Sequence, residues 1–218
     1  MNNTDKISQI AESAYKDFEA RTIARDSALT QARSLTRHAA NAIRAIHRNE
    51  NELAHSHLNE AETLVKKLRD DLQSFPDLYY AGYSQDAIKE YCEAVLTCAF
   101  IEGKLIPGPE ELDVPYSTYL RGMAETPGEL RRRCMDILRM GYSDDAEKLL
   151  EQMDDIYSIL ITMDYPDAVT NGLRRQTDLL RGIVERTRAD LPLSLREEKL
   201  KKLLRQAVDV YSHDRDRG

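Results

Sequence analysis

The sequence predicts an all-α fold, and three observations carry that expectation. The 218 residues include only nine glycines and seven prolines, so long stretches run without punctuation. Apolar residues recur at three- and four-residue spacing through most of the chain. Runs of β-branched residues, which would point to strands, are absent.

The first helical pattern extends from about Thr4 to His47 with no Gly or Pro. Its stripe is Ile7, Ile10, Ala14, Phe18, Ala28, Leu35, Ala39, Ile43 and Ile46. Roughly 40 residues is several turns beyond a typical globular helix, so part of it should pack against another chain or project. A second pattern covers about Glu52 to Leu72, and "SFPDLYYAGYS" reads as a connector. Ser84 is the expected N-cap of a third helix, about Gln85 to Gly103. After the proline-rich "IPGPEELDVP" comes a pattern from Tyr116 to Met140, interrupted at "ETPGE" and closed by Gly141. Ser143 caps the next helix, to about Thr162, and Pro166 precedes one from about Asp167 to Ala189. Ser194 and Glu197 form a capping box that should open a last, Lys-rich amphipathic helix, 194–212.

No repeat and no flexible linker interrupts the chain, so a single antiparallel helical domain over residues 1–218 is the economical expectation. The net charge of −7 argues against a generally basic nucleic-acid surface but not against a local basic stripe. Cys92, Cys98 and Cys134 have no CxxC spacing and read as reduced, buried thiols of a soluble, cytoplasmic protein. The N-terminus lacks an apolar leader, and no stretch approaches the roughly 20 apolar residues of a membrane span.

One stretch, "KEYCEAVLTCAFIEG", poses a chemical question. From Tyr91 to Ile101 nearly every residue is apolar or small, yet Glu93 lies among them. Glu90 precedes it by three residues, on the same face of a helix and about 5–6 Å away at Cβ. A buried carboxylate costs several kcal/mol, on the order of a lost ion pair, unless it is protonated, paired or holding a cation. Pairing with an arginine is one reading. The other needs carboxylates from a second helix, and Glu125 and Glu129 in "GMAETPGEL" offer them at i and i+4. Such an all-oxygen site suits Mg²⁺ or Mn²⁺. A di-iron site would need Glu-x-x-His, and His38, His47, His55, His57 and His213 all lie elsewhere. Against the metal reading, "TPGE" also scans as a capping box, with Thr126 as N-cap and Glu129 merely closing it.

Arg33, Arg37, Arg44 and Arg48 fall in a narrow arc of the first helix, able to follow a phosphate backbone or simply to face solvent. Arg131 and Arg132 directly follow the candidate acidic face. Tyr79, Tyr80 and Tyr83 could stack on bases or pack among themselves, and His55 and His57 read as exposed. No GxGxxG, P-loop, GxSxG or HExxH motif is present.

With these residues in view, the chain resembles the translin family. "FEARTIARDSALTQARSLTRHAANAIRAIHR" is similar to the family's first long helix, and "YLRGMAETPGELRRRCMD" to its shared block of Tyr-Leu, Gly and Glu-Leu. "GLRRQTDLLRGIVERTRADL" resembles the last long helix of the core. "KEYCEAV" resembles the Trax branch, with two glutamates three apart where translin has none. The resemblance covers roughly Tyr15 to Leu191. It implies a seven-helix antiparallel bundle with a long N-terminal helix, assembled into hollow hexamers or octamers alone or with a translin-like partner. It also implies a Mg²⁺-dependent endoribonuclease acting on single-stranded RNA, or on DNA. By motif, Glu90 and Glu93 match the two glutamates of the Trax site, Glu125 its aspartate, and Glu129 the glutamate of Glu-Leu. The arginines would position the nucleic acid. The runner-up is a non-catalytic, translin-like binder of single strands. Glu125 in place of Asp, and Pro127, depart from the family pattern.

Overall fold

The computed structural model describes residues 2–141 and 143–215. Among them there is no strand, and nine helices follow one another: α1 (Asn3–His47), α2 (Asn51–Asp71), α3 (Pro76–Tyr79), α4 (Gly82–Glu102), α5 (Pro109–Leu112), α6 (Tyr116–Met140), α7 (Asp144–Leu160), α8 (Asp167–Thr170) and α9 (Leu173–Arg215). No described helix is long and apolar enough to cross a membrane.

The chain divides into two compact units, Met1–Cys98 with Pro107–Gly122, and Ala99–Ile106 with Met123–Gly218. Two of the three divisions fall inside helices, α4 and α6, and the third falls in the short connector between α4 and α5.

In the first unit, α1 begins with a reciprocal cap. Asn2 Oδ1 accepts from the Asp5 amide at 2.8 Å, and Asp5 Oδ2 accepts from the Asn2 amide at 3.2 Å. Only the second half of α1 buries its stripe. Leu35, Ala39, Ala42 and Ile46 are sealed, and Ala39, Ala42 and Ile43 pack with Ala94 of α4 and Leu58 of α2. Up to residue 27 the stripe stays in solvent, with Ile7, Ile10, Tyr15, Phe18 and Ile23 each well over half exposed. The connector winds into α3, and α4 starts two residues before the Ser84 cap expected. Ser84 is fully buried inside the helix, and its hydroxyl donates to the Leu78 carbonyl at 2.9 Å. Gln85 Nε2 donates to the Tyr79 carbonyl at 2.9 Å, and its Oε1 accepts from Thr118 Oγ1 at 2.5 Å. These buried side chains satisfy the orphan carbonyls of α3.

The second unit corrects two expectations about proline. α6 runs unbroken through Pro127, and Thr126, the supposed cap, is fully buried in mid-helix. α9 likewise runs through Pro192, which joins the two C-terminal helices predicted separately and puts Ser194 in the helix interior. An interior proline costs a hydrogen bond and a ring clash, about 3 kcal/mol. Burial of Ala124, Thr126 and Leu130 around Pro127, and of Leu191 beside Pro192, offsets that cost. The break comes instead at Asn171 and Gly172, whose left-handed φ values of 51° and 83° end α8 and redirect the chain into α9. Ser143 caps α7 as its sequence predicts, accepting from the Asp145 amide at 3.2 Å. Arg188 bonds Asp154 at 2.5 Å, tying α9 to α7.

Candidate functional site

α4 carries the central pair. Ala87, Ile88, Tyr91, Cys92, Ala94, Leu96 and Cys98 are all buried, so most of the helix is surrounded. Glu90 and Glu93 are the gap in that pattern. Each is half-buried, rather than sunk in the core as the flanking residues predicted, and they bring carboxylate oxygens within 4.8 Å of each other. Two like charges at that range repel unless a cation sits close. Part of the answer is Lys89, which is buried and places its ammonium 2.9 Å from Glu90 Oε1. Adjacent residues on a helix do not normally face each other, so sequence spacing gave no sign of this pair.

The same stretch of α4 is crossed by α6 at Gly122. A Cβ built there would lie 2.8 Å from Cys92 Cβ, 2.9 Å from the Lys89 carbonyl oxygen and 3.1 Å from the Glu93 nitrogen. Only hydrogen fits, which is the physical reason for a glycine in the "YLRGMAE" block. Because α6 is continuous, Glu125 follows one turn after Gly122 and Glu129 two turns after, on the same side of that helix. Glu125 is half-buried, and its Oε1 accepts from Gln176 Nε2 of α9 at 2.8 Å. Glu129 is half-buried, and its Oε2 lies 3.4 Å from Arg132 Nη1. Lys89 and Gln176 are the polar neighbours that sequence reasoning missed.

Of the arginines, Arg33, Arg37 and Arg44 are exposed on α1, and Arg48 is exposed at its C-cap. Arg37 reaches Ser34 at 3.5 Å, Arg44 holds Asn41 at 2.7 Å, and Arg48 makes a fork with Glu50 at 3.0 and 2.7 Å. Arg132 is exposed. Arg131 is engaged inside its own unit, donating to Thr187 Oγ1 at 2.9 Å and to Asp190 Oδ2 at 2.8 Å, so it ties α6 to α9.

The tyrosines separate. Tyr79 is buried and meets Tyr80 edge to face at 5.0 Å, Tyr80 is 65% exposed and Tyr83 is half-buried. Tyr79, Tyr80 and Tyr116 line a cavity of about 540 Å³ together with Arg69, Asp70, Glu110 and Asp113. Its carboxylates outnumber its one arginine, a poor match for a phosphate backbone. His55 and His57 are half-buried rather than exposed, and His57 Nδ1 lies 3.2 Å from His38 Nδ1. Burial, His38 and Arg44 hold the His57 imidazolium pKa below its ordinary value. The side chain of His213 lies outside the described residues. The three cysteines are buried and form no disulfide, and burial pushes the Cys92 thiol up to about 12 and that of Cys134 to about 11.

No family model matches the sequence. The uncharacterized protein MJ0175 of Methanocaldococcus jannaschii is 32% identical over 184 residues, which cover 84% of this chain and 81% of that protein. Among solved structures, AfC3PO in complex with duplex RNA aligns with a TM-score of 0.80 at 31% identity, over 88% of this chain and 98% of its own. AfC3PO without that qualification aligns at 0.79 and 30% identity, over the same shares. Apo-NeC3PO, at 22% identity, has the same fold, with a TM-score of 0.74 over 89% of this chain and 98% of that one.

Proposed function

The chain belongs to the translin family, that of the C3PO complexes, and from this we propose that it is a Trax-like, metal-dependent endoribonuclease of the cytoplasm. The observation that carries the proposal is the Glu90–Glu93 pair, two half-buried carboxylates within 4.8 Å on a helix most of whose residues are buried. The residues that would hold a divalent cation are Glu90, Glu93, Glu125 and Glu129. The donor set fits, because half-buried carboxylates with no histidine or thiolate suit Mg²⁺ or Mn²⁺. Such an ion, when bound, neutralises the scissile phosphate and supplies an activated water.

The chain's own residues do the rest. Lys89 sets its ammonium 2.9 Å from Glu90 Oε1, and Gly122 lets α6 cross α4 closely, with Glu125 one turn further along α6. Arg33, Arg37 and Arg44, which have no carboxylate partner among the described residues, hold the phosphate backbone. Arg48 and Arg132 contribute after exchanging their carboxylates for phosphates. AfC3PO's complex with duplex RNA supports RNA as the ligand class, and the reading narrows it to single-stranded RNA, or DNA. The exposed first half of α1 supports self-association into a hexamer or octamer, or assembly with a translin-like partner.

A second reading, a non-catalytic translin-like binder, is favoured by one feature: Lys89 and Arg132 already compensate Glu90 and Glu129. Cleavage of labelled single-stranded RNA in Mg²⁺ and in EDTA separates the two, with binding measured on the same samples. The nuclease reading expects Mg²⁺-dependent cleavage that a Glu90→Ala, Glu93→Ala variant loses while still binding. Binding without cleavage in every sample would leave the second reading standing.

A further inference from the structure

Gln176 is a half-buried residue of the first turns of α9, placed there by the left-handed turn at Asn171 and Gly172. Its neighbours Leu173, Thr177 and Leu180 are buried, so the amide is held by a packed face and not by a mobile loop. Its Nε2 donates to Glu125 Oε1 at 2.8 Å. The orientation follows from chemistry, since a carboxylate accepts only from the NH₂ end of an amide. The consequence is that Gln176 Oε1 is left buried with no hydrogen-bond donor among the described residues. A buried acceptor without a partner costs about 1–3 kcal/mol, so such groups in folded proteins usually serve a water, an ion or a substrate.

We propose that Gln176 is the positioning residue of the acidic site, an inference that rests on the metal-dependent reading above. Its N–H pins one oxygen of Glu125 and so fixes the plane of the carboxylate and the direction of the second oxygen. Its carbonyl oxygen accepts a hydrogen bond from a water held beside the same carboxylate. Ligand-orienting contacts of this kind are worth about 10- to 100-fold in metal affinity. Sequence spacing could not reveal it, because Gln176 is 51 residues from Glu125.

The test is Mn²⁺ binding to the full-length protein, measured by titration on wild type, Glu93→Gln and Gln176→Leu, with the metal-free thermal midpoint of each recorded. The expected result is binding in wild type, loss in Glu93→Gln, and about tenfold or greater weakening in Gln176→Leu. The metal-free midpoint of Gln176→Leu should change little, because removal of the buried unpartnered Oε1 offsets the hydrogen bond lost to Glu125. A merely structural glutamine gives the opposite pattern, a lowered midpoint with affinity intact, and that would overturn the proposal. Gln176→Met, unbranched and of similar length, repeats the measurement if the leucine variant fails to fold. Wild-type protein that binds no Mn²⁺ would overturn the acidic-site reading and this inference together. Loss in Glu93→Gln with wild-type affinity in both Gln176 variants would overturn this inference alone.

Discussion

At Gly122 the choice of one residue sets how close two helices come. A methyl group there would meet two backbone atoms of α4, the Lys89 oxygen and the Glu93 nitrogen, and backbone cannot swing aside as a side-chain tip can. Gly122→Ala gains about 1 kcal/mol of helix propensity and loses about 3 kcal/mol to overpacking. A net loss of about 2 kcal/mol should appear as a lower urea midpoint, with metal affinity falling alongside it as α6 is pushed off α4. A neutral or stabilising alanine would mean that the two helices are not in that contact. The cysteines make a second residue-scale case. With Cys92 pushed up to about 12 and Cys134 to about 11, very little thiolate exists at pH 8. All three thiols, buried as they are, should react with a disulfide reagent only after the protein is unfolded in denaturant. Rapid labelling of the native protein would contradict the packing around α4 and α6.

Elements are where sequence and structure agree and part for identifiable reasons. The His38–His57 contact joins α1 to α2, and it makes stability depend on pH. His57 takes up a proton less readily in the fold than in the unfolded chain, so its contribution is fully present above the unfolded value, about 6.5. It is lost as the pH falls below that value and through the lower folded one. Urea midpoints at pH 7.5 and pH 5.5 should differ more for wild type than for His57→Gln, and equal differences would remove His57 from the account. Where a cap faces solvent the helix boundary was legible: Ser143 acts as its position predicts. Ser84 does not, because its hydroxyl is taken by the Leu78 carbonyl from α3, a partner that exists only once the chain folds. Pro127 and Pro192 looked like breaks because local cost can be read from sequence and compensating burial cannot. Likewise the Glu90–Glu93 pair was legible at three-residue spacing. Lys89, an immediate neighbour, and Gln176, distant in sequence, were not.

On the scale of the whole molecule, the difficulty is charge: a chain of net −7 is proposed to hold a polyanion. The resolution must be local. Arg33, Arg37 and Arg44 sit exposed on one side of α1 without carboxylate partners among the described residues, whereas Arg48 is clasped by Glu50 and Arg131 by Asp190. Each arginine that neutralises a phosphate of a single strand releases about 0.7 of a counterion. Replacing Arg33, Arg37 and Arg44 by alanine should therefore flatten the plot of log binding constant against log salt by about 2 per protomer engaged. The loss should be uniform across RNA sequences, since phosphate contacts carry no base information. It should also deepen with assembly, because copies of the stripe act on one strand together. For that reason the salt series belongs beside a measurement of oligomer mass by light scattering. A Phe18→Asp change on the exposed half of α1 supplies the control. If self-association through that face gathers the stripes, Phe18→Asp should lower the oligomer mass and weaken RNA binding with every arginine still in place. An unchanged salt slope in the triple variant, with mass also unchanged, would move the nucleic-acid surface off α1. The acidic site would then have to be fed from another face.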